Sequence, residues 1–366
     1  MASMSAEAPS FMGLRRALRR LPLSAGNYPY VVARVKAKKT LLLPKDTYSR
    51  MLQMEIPSIA RLLGEGVYRD QILALGARYA GVDLIERATS MNLAQVFTQV
   101  YEFSEGQLRE MLGRYLDRWD VHNVKTILRG RMHGASVEDI TEDIVAAGSF
   151  PQEFLQQVAG LETLAEITDA LEGTVYARAL QGLGQDFAAL KDLSEYEDAL
   201  ARAYYADLLE AIPPATEPQI LFRLFVRREI DMVNLKTLLR LWSSKSTVTR
   251  EVFLDGGLEL PVADLKGMVG LDLAGLQGRL GRYTLYDAVS PWLADLAKRG
   301  VGLLERTLEK HHLKEASRNA GQHPLSVLHV LDFLAAKEIE VQNIRIIARG
   351  KSAGLTDEEI RDLLVV

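Results

Sequence analysis

One ten-residue phrase occurs three times in this chain, and that repetition constrains the fold more than any other feature. Asp120-Val-His-Asn123-Val-Lys125-Thr-Ile-Leu-Arg129 returns as Asp231-Met-Val-Asn234-Leu-Lys236-Thr-Leu-Leu-Arg240, and more loosely as Glu340-Val-Gln-Asn343-Ile-Arg345-Ile-Ile-Ala-Arg349. The asparagines are 111 and 109 residues apart (234 − 123 and 343 − 234). Solenoid units run roughly 20–50 residues, whereas this period suits a whole small domain. Three tandem copies of one domain are expected.

Other landmarks keep the same register. A proline opens each copy (Pro44, Pro151, Pro261), and a tyrosine follows 24, 25 and 25 residues later (Tyr68, Tyr176, Tyr286). An apolar-Glu pair comes next (Ile85-Glu86, Tyr196-Glu197, Leu304-Glu305), with Glu-to-Asn separations of 37, 37 and 38. Only the Tyr-to-Glu spacing varies noticeably, as loops allow. The reading is a basic N-terminal extension at residues 1–27, then helical domains at 28–147, 148–257 and 258–366. The last residue, Val366, falls just before another proline would be due.

Each copy reads as helical. Ser104, with Gln107 at the capping-box position, is placed to cap a helix. Leu108, Leu112, Tyr115, Trp119 and Ile127 then mark an amphipathic stripe. Asn123 fills the gap in that stripe, as Asn234 does between Ile230 and Leu238, and Asn343 between Ile339 and Ile347. Ser136 and Thr356 suit the N-cap of a short following helix, with acids in its first turn; Thr249 heads the corresponding segment in the second copy. Ala33 to Lys39 also suits a helix, and no run reads as a strand. The fold class is all-α, with about five helices per copy.

The asparagine on an apolar face must be hydrogen-bonded, because an orphaned buried amide costs about 1–3 kcal/mol. Its expected partner is a carbonyl on a neighbouring helix or the repeated glutamate (Glu86, Glu197, Glu305). The cation two residues on (Lys125, Lys236, Arg345) lies about 200° around the helix and faces away from the stripe. It is either a solvated charge or a contact for an acidic partner. The arginine at plus six (Arg129, Arg240, Arg349) is placed to reach the repeated glutamate in a bidentate pair.

Nothing in this set is catalytic. Gly350-Lys351-Ser352 imitates a phosphate-binding loop, but the glycine required five residues before Gly350 is Arg345. Gly275, Gly278 and Gly281 do not have the dinucleotide-fingerprint spacing. The six histidines do not recur between copies, so no catalytic, cofactor or metal residue is expected. With no cysteine, thiolate sites are excluded. A net charge of −4 gives no general reason for nucleic-acid binding. No apolar run approaches the 18 or so residues needed to cross a bilayer. The extension before Tyr28 carries Arg15, Arg16, Arg19 and Arg20 with Glu7 as its only acid, and is expected to be a flexible tail.

The opening Tyr28-Pro-Tyr30-Val-Val-Ala33-Arg34 with Leu41-Leu42-Leu43-Pro44, and the repeated Asp-x-x-Asn-x-Lys-x-x-x-Arg, resemble the C subunit of archaeal and bacterial A/V-type rotary ATPases. The resemblance runs from Tyr28 to Val366 and extends more distantly to the d subunit of vacuolar ATPases. It implies three helical domains in a pseudo-three-fold funnel. It also implies a non-catalytic rotor socket that joins the central-shaft subunits to the membrane proteolipid ring, peripheral to the cytoplasmic face of the cell membrane, during ATP synthesis or ion pumping. The residues alone fit a free-standing helical-repeat adaptor equally well.

Overall fold

A computed structural model describes residues 26–365, apart from 185–186, 188–189, 191, 246–250 and 294–300. The arginines of the N-terminal extension and Thr249 lie outside the described residues. Every described element is a helix, and no strand occurs among the described residues.

Helix α1 (Tyr28–Lys39) opens the first copy, ahead of Pro44. Pro44 then caps α2 (Lys45–Leu52), followed by α3 (Ile56–Gly64) and α4 (Arg69–Leu75). Two longer stretches follow: α5 (Gly81–Glu102), then α6 (Gly106–Leu116) with α7 (Arg118–Met132). The short α8 (Val137–Glu142) comes last. The second copy runs α9 (Gln152–Ala159), α10 (Leu164–Ala170), α11 (Val175–Gln181), α12 (Ser194–Ala211) and α13 (Glu217–Ser244). The third runs α14 (Val262–Met268), α15 (Leu273–Leu280), α16 (Tyr286–Leu293), α17 (Val301–Gln322), α18 (Leu328–Ser352) and α19 (Asp357–Leu363). Three short helices, then two long ones, recur in each copy. Five helices per copy undercounts the first and third, where a short helix closes the run and α6–α7 is split.

Local chemistry explains the boundaries. Pro44, Pro151 and Pro261 all sit at N-caps in extended conformation, where the missing N–H costs nothing. Ser136 and Thr356 cap α8 and α19, as the sequence indicates. Ser104 does not cap α6: its hydroxyl donates back to the Val100 carbonyl at 2.6 Å. Asn27 takes over that turn. Its Nδ2 donates to the Phe103 carbonyl and its Oδ1 accepts from Glu105 N, which pins the start of α1 to the α5–α6 corner. Gly26 is required there: at φ +114°, a Cβ would lie 2.8 Å from Leu108 Cβ. The break between α6 and α7 has a visible cause. The Tyr204 hydroxyl donates to the Tyr115 carbonyl at 2.8 Å, and the Tyr176 hydroxyl to the Asp117 carbonyl at 3.2 Å. Side-chain donors inserted into the helical ladder loosen it at that point.

The hydrophobic cores do not follow the sequence copies. One core joins Tyr48, Leu52, Ile59, Leu63, Tyr68 and Ile85 to Ile344, Ile347, Ile360 and Leu364 near the C-terminus. A second joins Leu235, Leu238 and Leu239 to Leu265, Leu276, Leu280 and Leu304 of the following copy. The largest runs from α1 through α13 and takes in Leu331, Phe333 and Val341 of α18. The end of each copy thus packs on the beginning of the next, and the last packs on the first.

Candidate functional site

The repeated phrase lies on α7, α13 and α18, with the same burial at every position but the one before the asparagine. The acid, the asparagine and the two residues before the arginine are buried; the plus-two cation is half-buried; the arginine is exposed. This is what a polar residue embedded in an apolar stripe requires.

Each asparagine grips one backbone residue by both of its polar groups. Asn123 Nδ2 donates to the Val145 carbonyl and its Oδ1 accepts from Val145 N, both at 2.9 Å. Asn234 holds Leu254 the same way at 2.8 Å for both bonds. Asn343 holds Val365 at 2.9 and 2.8 Å. The partner is therefore backbone near the end of each copy, beyond α8 in the first and α19 in the third, not the repeated glutamate.

The acid at the head of the phrase holds what comes next. Asp120 accepts from Ser149 N and Phe150 N at 2.9 and 3.0 Å, immediately before Pro151. Asp231 accepts from Leu258, Glu259 and Leu260 N, immediately before Pro261. Gly148 and Gly257 make room for these carboxylates, since a Cβ at either would lie 2.2 Å from the aspartate Oδ1. In the third copy Glu340 accepts from Leu43 N, immediately before Pro44. The longer side chain reaches across to the other end of the chain. It is also bound to the Tyr68 hydroxyl at 2.6 Å and to Lys337 Nζ at 2.7 Å, all three side chains being buried. Burial lowers the Lys337 pKa, and Glu340 opposes that.

The repeated arginine does reach the repeated glutamate, but one copy further on. Arg129 pairs bidentately with Glu197 at 2.6 and 2.7 Å. Arg240 pairs with Glu305, and Arg349 pairs bidentately with Glu86, 263 residues away. The three pairs form a closed circuit through both ends of the chain. Because the arginine side chains are 56, 63 and 68% exposed, each pair contributes at most about 1 kcal/mol. Their role is register.

The plus-two cations are placed at the same junctions. Lys236 Nζ bonds Glu309 at 2.8 Å, four residues past Glu305. Arg345 donates to the Glu86 carbonyl, Thr89 Oγ1 and Ser90 Oγ. Lys125, half-buried, has its pKa lowered by burial, with Glu197 and Asp198 opposing. Arg345, Arg349, Arg129 and Glu86 also line a cleft of about 590 Å³ between α5, α7, α8 and α18. His122 opens onto it; desolvation by the cleft walls, then Arg345, Arg129 and Lys125, push its imidazole down to about 4.

A further equivalent position carries opposite charges in different copies. Five residues before each asparagine stand Arg118, Glu229 and Glu338, and these three meet. Arg118 Nη1 lies 3.4 Å from both Glu229 carboxylate oxygens, and Nη2 pairs with Glu338. Glu229 also accepts from the Tyr115 and Tyr205 hydroxyls at 3.0 and 2.6 Å. Glu338 has the guanidinium alone, and burial, with Glu229 adding to it against Arg118, pushes its carboxyl up to about 7. The start of α7 and the middles of α13 and α18 are joined here. The repeat does not reveal the junction, because the first copy carries the opposite charge to the other two.

Among the described residues, no group of three or more His, Asp or Glu side chains is placed to hold a metal ion, and no helix is long and apolar enough to cross a membrane. The polar residues that recur serve to hold an all-helical, self-closing chain together. The chain belongs to the ATP synthase (C/AC39) subunit family, whose model matches residues 31–363. It is similar to the A-type ATP synthase C subunit of Methanococcoides burtonii, 36% identical over 94% of this chain and 95% of that one. The C subunit of the Methanosarcina acetivorans enzyme is 36% identical over 93% of each chain. That of Haloferax volcanii is 33% identical over 93% of this chain and 98% of its own.

Proposed function

We propose that this chain is a non-catalytic subunit of an A-type ATP synthase, a socket that joins the central shaft to the membrane proteolipid ring and turns with them. In this reading the copies at 28–147, 148–257 and 258–366 form a funnel with pseudo-three-fold symmetry. The observation that carries it is the closed circuit. Arg129–Glu197, Arg240–Glu305 and Arg349–Glu86 run from each copy to the next and from the last to the first, while Arg118, Glu229 and Glu338 meet at one point.

A circuit with one central junction and three equivalent walls is a shape that can sit coaxially on a ring and grip a shaft. An open solenoid adaptor has free ends and no such closure. Torque passes through the chain if the copies cannot slip past one another. Half-buried Lys236 and Arg345, with the asparagine clamps behind them, supply that stiffness. The assembly is peripheral, held at the cytoplasmic face of the membrane through the ring.

The test is affinity isolation of the tagged chain from gently solubilised membranes. Proteolipid ring and shaft subunits co-purify if the proposal holds. Recovery of the chain without either refutes it.

A further inference from the structure

The three equivalent long helices differ in charge. Helix α17 carries four basic and three acidic side chains, whereas α5 carries one and three, and α12 one and five. The extra helix α1, which no other copy has, packs on α18, and its last residue reaches α17: Lys39 Nζ lies 3.1 Å from Ser317 Oγ. Lys39 and Lys45 adjoin the cations of α17, with Lys36 one turn before Lys39, and together they form a band. Burial lowers the Lys310 pKa, and nearby Lys314 and Lys45 lower it further, against Asp362. His329 is lowered by burial and then by Lys36, with Lys39 adding to it.

Most of these charges are unspent. Lys39 is bound to Asp332, but Lys36, Lys45, Lys310, Lys314 and Arg318 make no ion pair among the described residues. Lys36, Lys45, Lys314 and Arg318 are exposed. In a chain of net charge −4, these unpaired cations, with Lys310, Lys314 and Arg318 spread along about 12 Å of helix, raise a local positive potential that Asp362 offsets only at Lys310. Leu41, 59% exposed in the α1–α2 turn, adds one apolar contact beside the band.

We propose that this α1–α17 band is a docking surface for an acidic, elongated protein segment, such as a carboxylate-rich helix or strand of a neighbouring subunit. Its width selects such a segment over a bilayer. Asp46, next to Lys45 in the chain, and Asp362, near Lys310, are both exposed, so a flat anionic surface would press against them. A narrow segment follows the cations and avoids both. The site is present on one wall only, so its occupant binds once per chain. This inference does not depend on the rotor reading.

The test uses the full chain and a fluorescent oligoglutamate peptide of about ten residues, long enough when extended to follow the band. Peptide anisotropy reports binding at low salt. Lys310→Glu/Lys314→Glu/Arg318→Glu is expected to weaken binding at least tenfold. The control Arg61→Glu/Arg178→Glu/Arg282→Glu, with the same charge change at exposed arginines elsewhere, changes it less than threefold. Binding by wild type is lost near 0.5 M salt, as screening requires. Should the triple variant fail to fold, Lys36→Glu/Lys45→Glu, at two exposed positions, replaces it with the same expectation. Equal loss in the control, no peptide binding, or binding to phosphatidylserine vesicles without peptide binding would each overturn the proposal.

Discussion

The asparagine clamp makes a quantitative claim that one substitution tests. Asn123→Ala removes both partners of Val145, which is 3% exposed and bonded to Asn123 twice at 2.9 Å. Each orphaned backbone group costs about 1–3 kcal/mol. With local relaxation satisfying part of the loss, the segment around Val145 is destabilised by about 3 kcal/mol against local opening. At about 1.4 kcal/mol per tenfold, its amide protection falls by about two orders of magnitude. Hydrogen exchange read by mass spectrometry on peptides spanning 140–150 measures this directly. Arg129→Ala lies on the same helix but bonds Glu197, so it changes Val145 protection less than threefold. A loss below about fivefold in Asn123→Ala refutes the clamp.

Further outcomes follow from the same geometry. Asn123→Asp keeps the acceptor for Val145 N but sets a carboxylate against the Val145 carbonyl, which raises the folded-state pKa; its deficit relative to wild type therefore shrinks as pH falls from 8 to 5, measured as the difference in thermal midpoints. Glu338 is raised from an ordinary value of 4.5 to about 7, so its contribution is complete below about 4.5 and is lost as pH rises through about 7. Glu338→Gln should abolish that fall, worth about 2–3 kcal/mol between pH 5 and 8, and a denaturation series across that range reads it. Arg349→Glu alone costs about 1 kcal/mol, and the swap Arg349→Glu/Glu86→Arg recovers most of it if the circuit closes through this pair.

The repeat makes much of this legible from the sequence alone. Asn123, Asn234 and Asn343 had to be buried and satisfied because each fills a gap in an apolar stripe, and proline marked each starting helix because it suits an N-cap. Partners separated by a whole copy were harder to read. Helical phase places Arg129 on a flank but says nothing of whether the nearest Glu belongs to its own copy or the next; packing of α7 against α12 decides that. Ser104 looked like a cap by spacing, yet the Asn27 side chain, 78 residues upstream of Glu105, occupies that position. The fit of Gly148 and Gly257 to the aspartates is a matter of ångströms and leaves no periodic trace. Arg118, Glu229 and Glu338 share a place but not a charge, so their meeting becomes visible only in three dimensions.

The central claim is that this chain rotates as one piece with shaft and ring. Because it has no cysteine, single cysteines can be introduced and cross-linked in the assembled complex to the shaft on one side and the ring on the other. ATP-driven ion pumping measured before and after cross-linking decides the matter. If the chain is a rotor socket, both cross-links leave pumping intact; if either one stops it, the chain does not turn with that partner and the account is wrong.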